Sequence, residues 1–205
     1  MMHKGNVYVI DDDEAMRESL EFLLGSANFH VTLFESAQQF LDELSVIEFG
    51  CVLSDVRMPV IDGIELLKRL KVTRGDLPVV IMTGHGEVPL AVEAMKLGAI
   101  DFLEKPFEDD RLIGMIDAAL TQAEAGARSE AVAHDIASRV ASLSPRERQV
   151  MDGLVAGLSN KLIAKEYDIS PRTIEVYRAN VMTKMQAGSL SELVRLAMRA
   201  DAVKD

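Results

Sequence analysis

Five short apolar runs alternate with amphipathic stretches through the first 124 residues, and few folds accept that alternation. The runs read as strands near 6–10, 30–34, 50–54, 78–82 and 100–104, with helices expected near 14–25, 36–44, 62–71, 87–97 and 108–124. Val79-Val80-Ile81-Met82 is apolar without a break, as in a central strand covered on both faces. Five β/α units imply a doubly wound, five-stranded parallel sheet, since each right-handed crossover carries its helix across one face. The expected class is α/β in the flavodoxin-like order 2-1-3-4-5. In that order strands one and three flank the switch point, and ligands sit beyond their carboxyl ends.

Those ends carry charge. Asp11-Asp12-Asp13-Glu14 follows Asn6-Val7-Tyr8-Val9-Ile10, Asp55 closes Cys51-Val52-Leu53-Ser54, and Lys105, with Pro106 after it, closes the fifth run. Two acidic strand ends and one basic end converge only in a parallel sheet. Oxygen ligands in an octahedron suit Mg²⁺. Asp12 and Asp55 are the expected direct carboxylate ligands, the carbonyl of Arg57 a third, and Asp11 acts through water. Like charges ~4 Å apart cost about 4 kcal/mol per pair at an effective dielectric of 20, and a bound cation relieves that strain. An Asp55 oxygen then attacks phosphorus in line while Lys105 offsets charge on the equatorial oxygens. Thr83, at the end of strand four, donates its hydroxyl to the new phosphoryl group, and its movement opens space for Phe102. Asp13 and Glu14 read as a helix cap favoured by the macrodipole. His85 and Cys51 read as structural.

Composition narrows the setting. One cysteine among 205 residues excludes disulfides within the chain, and a hydrophobic content of 48% without Trp suits an α/β or helical protein. No apolar run approaches the ~18 residues of a membrane span and no signal-peptide pattern opens the chain, so a cytoplasmic protein without a membrane partner is expected. The net charge of −11 is unevenly spread: residues 1–124 carry 10 Lys/Arg against 23 Asp/Glu, and residues 125–205 carry 12 against 10. The first half repels DNA; the second does not.

Residues 121–143 are rich in Ala, Glu and Ser, yet Val132, Ile136, Val140 and Leu143 recur at helical spacing, so 125–142 is expected to be a helical linker. Gly126 weakens it by about 1 kcal/mol. Four short helices follow over 143–205. Ser144-Pro145-Arg146-Glu147 is a capping box, and Ser159, Ser170 and Ser191 are expected caps for the other three. Helices near 160–167 and 171–185, joined around Asp168-Ile169, have helix-turn-helix spacing. On the second of them Ile174, Tyr177, Val181 and Met185 form the buried stripe. The opposite arc presents Arg172, Val176, Ala179, Asn180 and Thr183, flanked by Thr173 and Glu175. Val176 and Ala179 suit thymine methyls, Asn180 adenine and Glu175 cytosine. Lys161, Arg172, Arg178 and Lys184 suit phosphates. On the last helix, Leu193, Val194, Leu196 and Ala197 serve either packing within the protomer or pairing with a second one.

With these residues in order, the first half resembles response-regulator receiver domains: Val9-Ile10-Asp11-Asp12, Asp55-Val56-Arg57-Met58-Pro59, Met82-Thr83-Gly84-His85-Gly86 and Glu104-Lys105-Pro106-Phe107 are the landmarks. The resemblance implies a cis Lys105–Pro106 bond and gives Phe102 the switch-aromatic position, where many relatives have Tyr. The second half is similar to LuxR/NarL-type helix-turn-helix domains through Leu143-Ser144-Pro145-Arg146-Glu147, Leu158–Ala164 and Ser170–Val176. Tyr177 stands where many relatives have His, and Glu175 where some carry a basic residue. Together the halves resemble NarL-type transcription regulators. Met82–Pro89, Asp101–Asp109 and Arg178–Met182 carry the likeness toward the nitrogen-fixation branch, whose kinase is an oxygen-sensing haem protein. The resemblance implies a receiver over 1–124, a sensor histidine kinase as phosphodonor, Mg²⁺, a homodimer when phosphorylated, double-stranded promoter DNA, and RNA polymerase as a further candidate partner. Two rivals remain at this point. An aspartyl-phosphate phosphatase needs a second acid two residues after the nucleophile, where Arg57 stands; an interaction module would never touch DNA.

Overall fold

Strand formation follows from the alternation within each apolar run. In β1 (Asn6–Ile10), Val7 and Val9 point to one face of the sheet while Tyr8 and Ile10 point to the other, and all four are buried. The same division runs through β3 (Gly50–Asp55) and β4 (Val79–Thr83). Val52, Val79 and Ile81 join a core with Phe34, Phe40, Leu66, Leu67 and Leu70. Cys51, Leu53, Val80 and Met82 join another with Leu20, Leu24, Leu112, Ile116 and Leu120. With β2 (His30–Phe34) and β5 (Asp101–Glu104) the sheet has the order β2-β1-β3-β4-β5, and every pair is parallel. This computed structural model describes residues 3–84 and 88–201. His85, Gly86 and Glu87, part of one sequence landmark, lie outside the described residues.

The helices on the sheet are α1 (Glu14–Ser26), α2 (Ala37–Asp42), α3 (Gly63–Thr73) and α4 (Val88–Lys96), followed by α5 (Asp109–Ala141). Asp13 caps α1 through the Ala15 and Met16 N–H groups, as expected, and Asp62 caps α3 through Glu65. The 33 residues of α5 run unbroken through Gly126, and the chain divides into two compact units, residues 1–127 and 128–205, within it. No helix among the described residues is long and apolar enough to cross a membrane.

Val60, in the loop between β3 and α3, has φ +69° and is 98% exposed. A β-branched residue in the left-handed region is strained by about 1–2 kcal/mol, and Asn tolerates that region better. Nothing packs on the Val60 side chain to offset the strain. Val60→Asn is therefore expected to stabilise the chain by roughly 1 kcal/mol in denaturant unfolding; a loss of stability would show that the loop strain is relieved elsewhere.

The second unit packs α6 (Pro145–Val155), α7 (Asn160–Glu166), α8 (Pro171–Lys184) and α9 (Leu190–Asp201) around Val150, Leu154, Ile163, Ile174, Val181 and Leu193. The capping box at Ser144 and Glu147 is formed, and Ser159 and Ser170 cap α7 and α8. The fourth cap is corrected: Ser189, not Ser191, accepts the Glu192 N–H (3.2 Å), because α9 starts at Leu190. Asp168 turns the chain between α7 and α8 at φ +52°. On α9, Leu193 and Ala197 are buried in the unit's own core, leaving Leu190 and Met198 as its exposed large apolar side chains.

Candidate functional site

Register brings the charged strand ends together. Ile10 pairs with Ser54, so Asp11 and Asp55 follow one another across neighbouring strands. Asp55 pairs with Met82, and Thr83 with Glu104. The ladder continues past the strands through Asp11 N–H to Phe34 (3.3 Å), Val56 N–H to Met82 (2.8 Å) and Lys105 N–H to Thr83 (2.8 Å). The Lys105–Pro106 peptide is cis, as the resemblance implied.

The Lys105 ammonium spans the two acids, 2.9 Å from Asp11 Oδ2 and 2.5 Å from Asp55 Oδ1. Asp11 is 2% exposed and Asp55 8%. The Arg57 N–H donates to Asp55 Oδ2 at 2.6 Å, and the Asp13 N–H to Asp11 Oδ1 at 2.9 Å. Each carboxylate thus has one oxygen on the ammonium and one on a backbone N–H. Burial pushes the Asp55 carboxyl above its usual range, against the Lys105 hydrogen bond and charge and the Arg57 N–H. For Lys105, burial works against the charged form, but its hydrogen bonds to Asp55 and Asp11 together raise the pKa.

Local chemistry sets this geometry. Gly63 is required at the start of α3, where its N–H bonds to Val56 (3.0 Å) and a Cβ would overlap the Asp55 carbonyl oxygen. Arg17 on α1 donates to the Asp11 carbonyl at 2.8 Å. Neither Arg17 nor the direct Asp11–Lys105 contact was expected from the sequence; a basic residue one turn into the helix after an acidic run was the available signal. Asp12 is exposed and lines a cleft of about 410 Å³ with Arg57 and Asp62. Thr83 is buried, and Phe102 is half-buried beside Ile81 on the neighbouring strand.

Among the described residues no three His, Cys, Asp or Glu side chains form a metal cage of their own. Asp12 and Asp62 line the open cleft with carboxylate oxygens, and Asp11 and Asp55 are the buried acids at the ends of adjoining strands. Such a set suits a hard divalent cation that keeps several waters and takes further ligands from a phosphoryl group.

In the second unit, Arg172, Glu175, Val176, Ala179, Asn180 and Thr183 are exposed on α8, and Lys161 is exposed on α7. Thr173 is half-buried, its hydroxyl 2.8 Å from that of the cap Ser170. Arg178 is half-buried and donates to Asn160 on α7 (3.3 Å), which ties the two helices of the motif. Lys184 is engaged within the unit: its ammonium donates to Glu147 Oε2 (2.6 Å) and to the Ser142 carbonyl (3.2 Å). The sequence pattern placed it on a phosphate because a lysine at a helix end carries no mark of an internal partner 37 residues away.

Comparison with known proteins gives two family matches: the response regulator receiver domain over residues 7–117, and the bacterial regulatory proteins of the luxR family over residues 141–197. The chain is 75% identical to the transcriptional regulatory protein FixJ of Bradyrhizobium diazoefficiens, over the whole of both chains. It is 48% identical to FixJ of Rhizobium meliloti, over 94% of each. Among solved structures it is similar to full-length FixJ from B. japonicum (76% identity, TM-score 0.64, 98% of this chain and 99% of that one). It is also similar to the response regulator StyR (39% identity, TM-score 0.85, 95% and 98%).

Proposed function

The chain belongs to the response regulators that join a receiver domain to a LuxR-type DNA-binding domain, and from that premise we propose that Asp55 is the phosphoacceptor of a transcription regulator. The donor is a sensor histidine kinase; the likeness to FixJ implies FixL, an oxygen-sensing haem protein. The reading rests on one observation above all. A single ammonium bridges two buried carboxylates at the ends of adjoining parallel strands.

An Asp55 oxygen attacks phosphorus in line. The P–N bond of the donor phosphohistidine breaks, its electron pair stays on the imidazole nitrogen, and that nitrogen takes a proton. The product is an acyl phosphate. Lys105 keeps its hold on Asp11 and transfers its other hydrogen bond from Asp55 to a phosphoryl oxygen, so the charge that forms already has a partner. Asp12, Asp55 and the Arg57 carbonyl, with Asp11 through water, would hold a Mg²⁺, which would supply neutralisation of phosphoryl charge. Thr83 then donates its hydroxyl to the phosphoryl group, and Phe102 moves toward the vacated space. That shift remodels the surface of α4, β5 and α5, favours a homodimer and places two α8 helices on two half-sites of promoter DNA, where RNA polymerase is a further partner. Acyl phosphates hydrolyse, which suits a timed signal; the chain acts as a transcription factor rather than a turnover enzyme.

The test is chemical. Protein treated with a small-molecule phosphodonor and Mg²⁺, then reduced with borohydride, is expected to carry the modification at Asp55 alone. The same treatment is expected to tighten binding to a promoter duplex, with affinity falling steeply with salt. Modification at another residue, or none with donor and metal present, overturns the assignment; DNA binding without salt dependence overturns the role of the second unit.

A further inference from the structure

The last turns of α5 belong to the core of the second unit. Ile136 is 2% exposed and Val140 8%, both packed with the residues of α6, α8 and α9. On the same stretch Arg139 reaches the end of α8. Its Nη1 donates to the Met185 carbonyl at 3.1 Å, its Nη2 pairs with Asp135 at 2.5 Å, and its Nε is buried without an acceptor. Met185 is the C-cap of α8. Carbonyls at a helix C-terminus lack intrahelical partners and carry the negative end of the dipole, so a guanidinium is the favoured group there. One residue earlier, Lys184 holds Ser142 and Glu147. The final turn of α8 is thus fastened by one cation from α5 and by its own lysine to the start of α6.

We propose that Arg139 is a positioning residue for DNA recognition: by gripping the Met185 carbonyl it sets where α8 stands in the unit, and so where Asn180, Val176 and Ala179 meet base edges. The residue lies outside the luxR-family match, which begins at 141. A purely packing role would be served by an apolar side chain of similar length, which leaves no buried donor unsatisfied. Arg139 instead accepts an orphan Nε in order to bring a charged donor to one carbonyl. The assignment rests on the reading that α8 contacts DNA, and the test separates the two.

Full-length protein loaded with beryllofluoride and Mg²⁺ is titrated with a duplex that the wild type has selected from a random pool, and with an unselected duplex of equal length. Arg139→Met is expected to weaken the selected duplex about tenfold and the unselected one less than about twofold, because the phosphate-facing Lys161 and Arg172 are untouched. Arg139→Lys, which keeps a charge and a donor, is expected to recover most of the loss. Amide exchange over 182–187 in the DNA-free protein is expected to quicken in the Met variant and to return in the Lys variant. Selected-duplex affinity within twofold of wild type, or equal loss on both duplexes, overturns the proposal. If Arg139→Met unfolds the unit, Arg139→Lys and Arg139→Gln decide: graded loss confined to the selected duplex supports it, and equal loss on both overturns it. A wild type that selects no duplex at all overturns the DNA reading itself.

Discussion

Asp55→Asn is expected to take up no phosphoryl group under conditions that label the wild type fully, and its DNA affinity is expected to ignore the donor. The substitution keeps the volume and one acceptor for the Arg57 N–H but removes the nucleophilic oxygen. Loss of a nucleophile without a nearby replacement lowers the rate by roughly a thousandfold or more. Asp11 is buried and held by Lys105 and the Asp13 N–H, so it does not stand in. The same change has an opposite effect on folding. The Asp55 pKa is raised in the folded chain, chiefly by burial, so the folded state prefers the protonated acid: the stability this gives is complete below the unfolded pKa and is lost as pH rises through the folded value, leaving ionised Asp55 opposed to folding at neutral pH. At neutral pH Asp55→Asn is therefore expected to be as stable as the wild type or more stable, by up to about 1 kcal/mol, since Lys105 keeps its bond to Asp11. Borohydride trapping and denaturant unfolding of one preparation read both effects. A variant that still labels would remove Asp55 from the mechanism; one that is strongly destabilised would mean that the Asp55–Lys105 bond supports the fold more than burial opposes it.

The opposition between function and stability at this site was legible in the sequence only in part. Strand ends carrying Asp11, Asp55 and Lys105 could be placed because the two-residue period and the parallel order leave no other arrangement. The bridge that Lys105 makes to both acids was not legible, because it depends on a side-chain conformation settled between positions 94 and 50 residues apart. The same limit explains Arg17, whose bond to the Asp11 carbonyl needs α1 to lie over the end of β1. Local signals fared well where the chemistry is local, as at Ser144-Pro145-Arg146-Glu147, and misplaced the cap of α9 by two residues where three serine and glycine positions compete. Apolar spacing on α9 marks a face but not its partner: Leu193 and Ala197 are buried in the protomer's own core, whereas Val194 and Leu196 are half-buried. Exposed Leu190 and Met198 remain on α9.

Lys184→Met is expected to lower the melting temperature of the second unit without changing how DNA binding depends on salt. Glu147 is 4% exposed and accepts from the Lys184 ammonium (2.6 Å) and the Ser144 N–H (2.7 Å). Those donors, Lys184 first, bring its pKa from 4.5 to about 2. Removing the ammonium leaves a buried carboxylate with only the donors of Ser144. Because the lysine side chain is 40% exposed, water recovers part of the loss, and about 2 kcal/mol is the expected cost rather than the 3–5 kcal/mol of a fully buried pair. In a unit of this size that corresponds to a drop of roughly 10 °C. Since the folded pKa of Glu147 lies below its unfolded value, the stability it contributes is complete above about pH 4.5 and disappears as pH falls toward 2. The wild type should therefore lose the melting advantage over Lys184→Met across that acid range, and Glu147→Gln should flatten the same pH dependence. If Lys184 served a phosphate instead, its removal would leave the melting temperature in place and reduce the salt slope by about one counterion. Measuring melting against pH and affinity against salt on one variant distinguishes a lysine that holds the recognition helix to its neighbour from one that holds the helix to DNA.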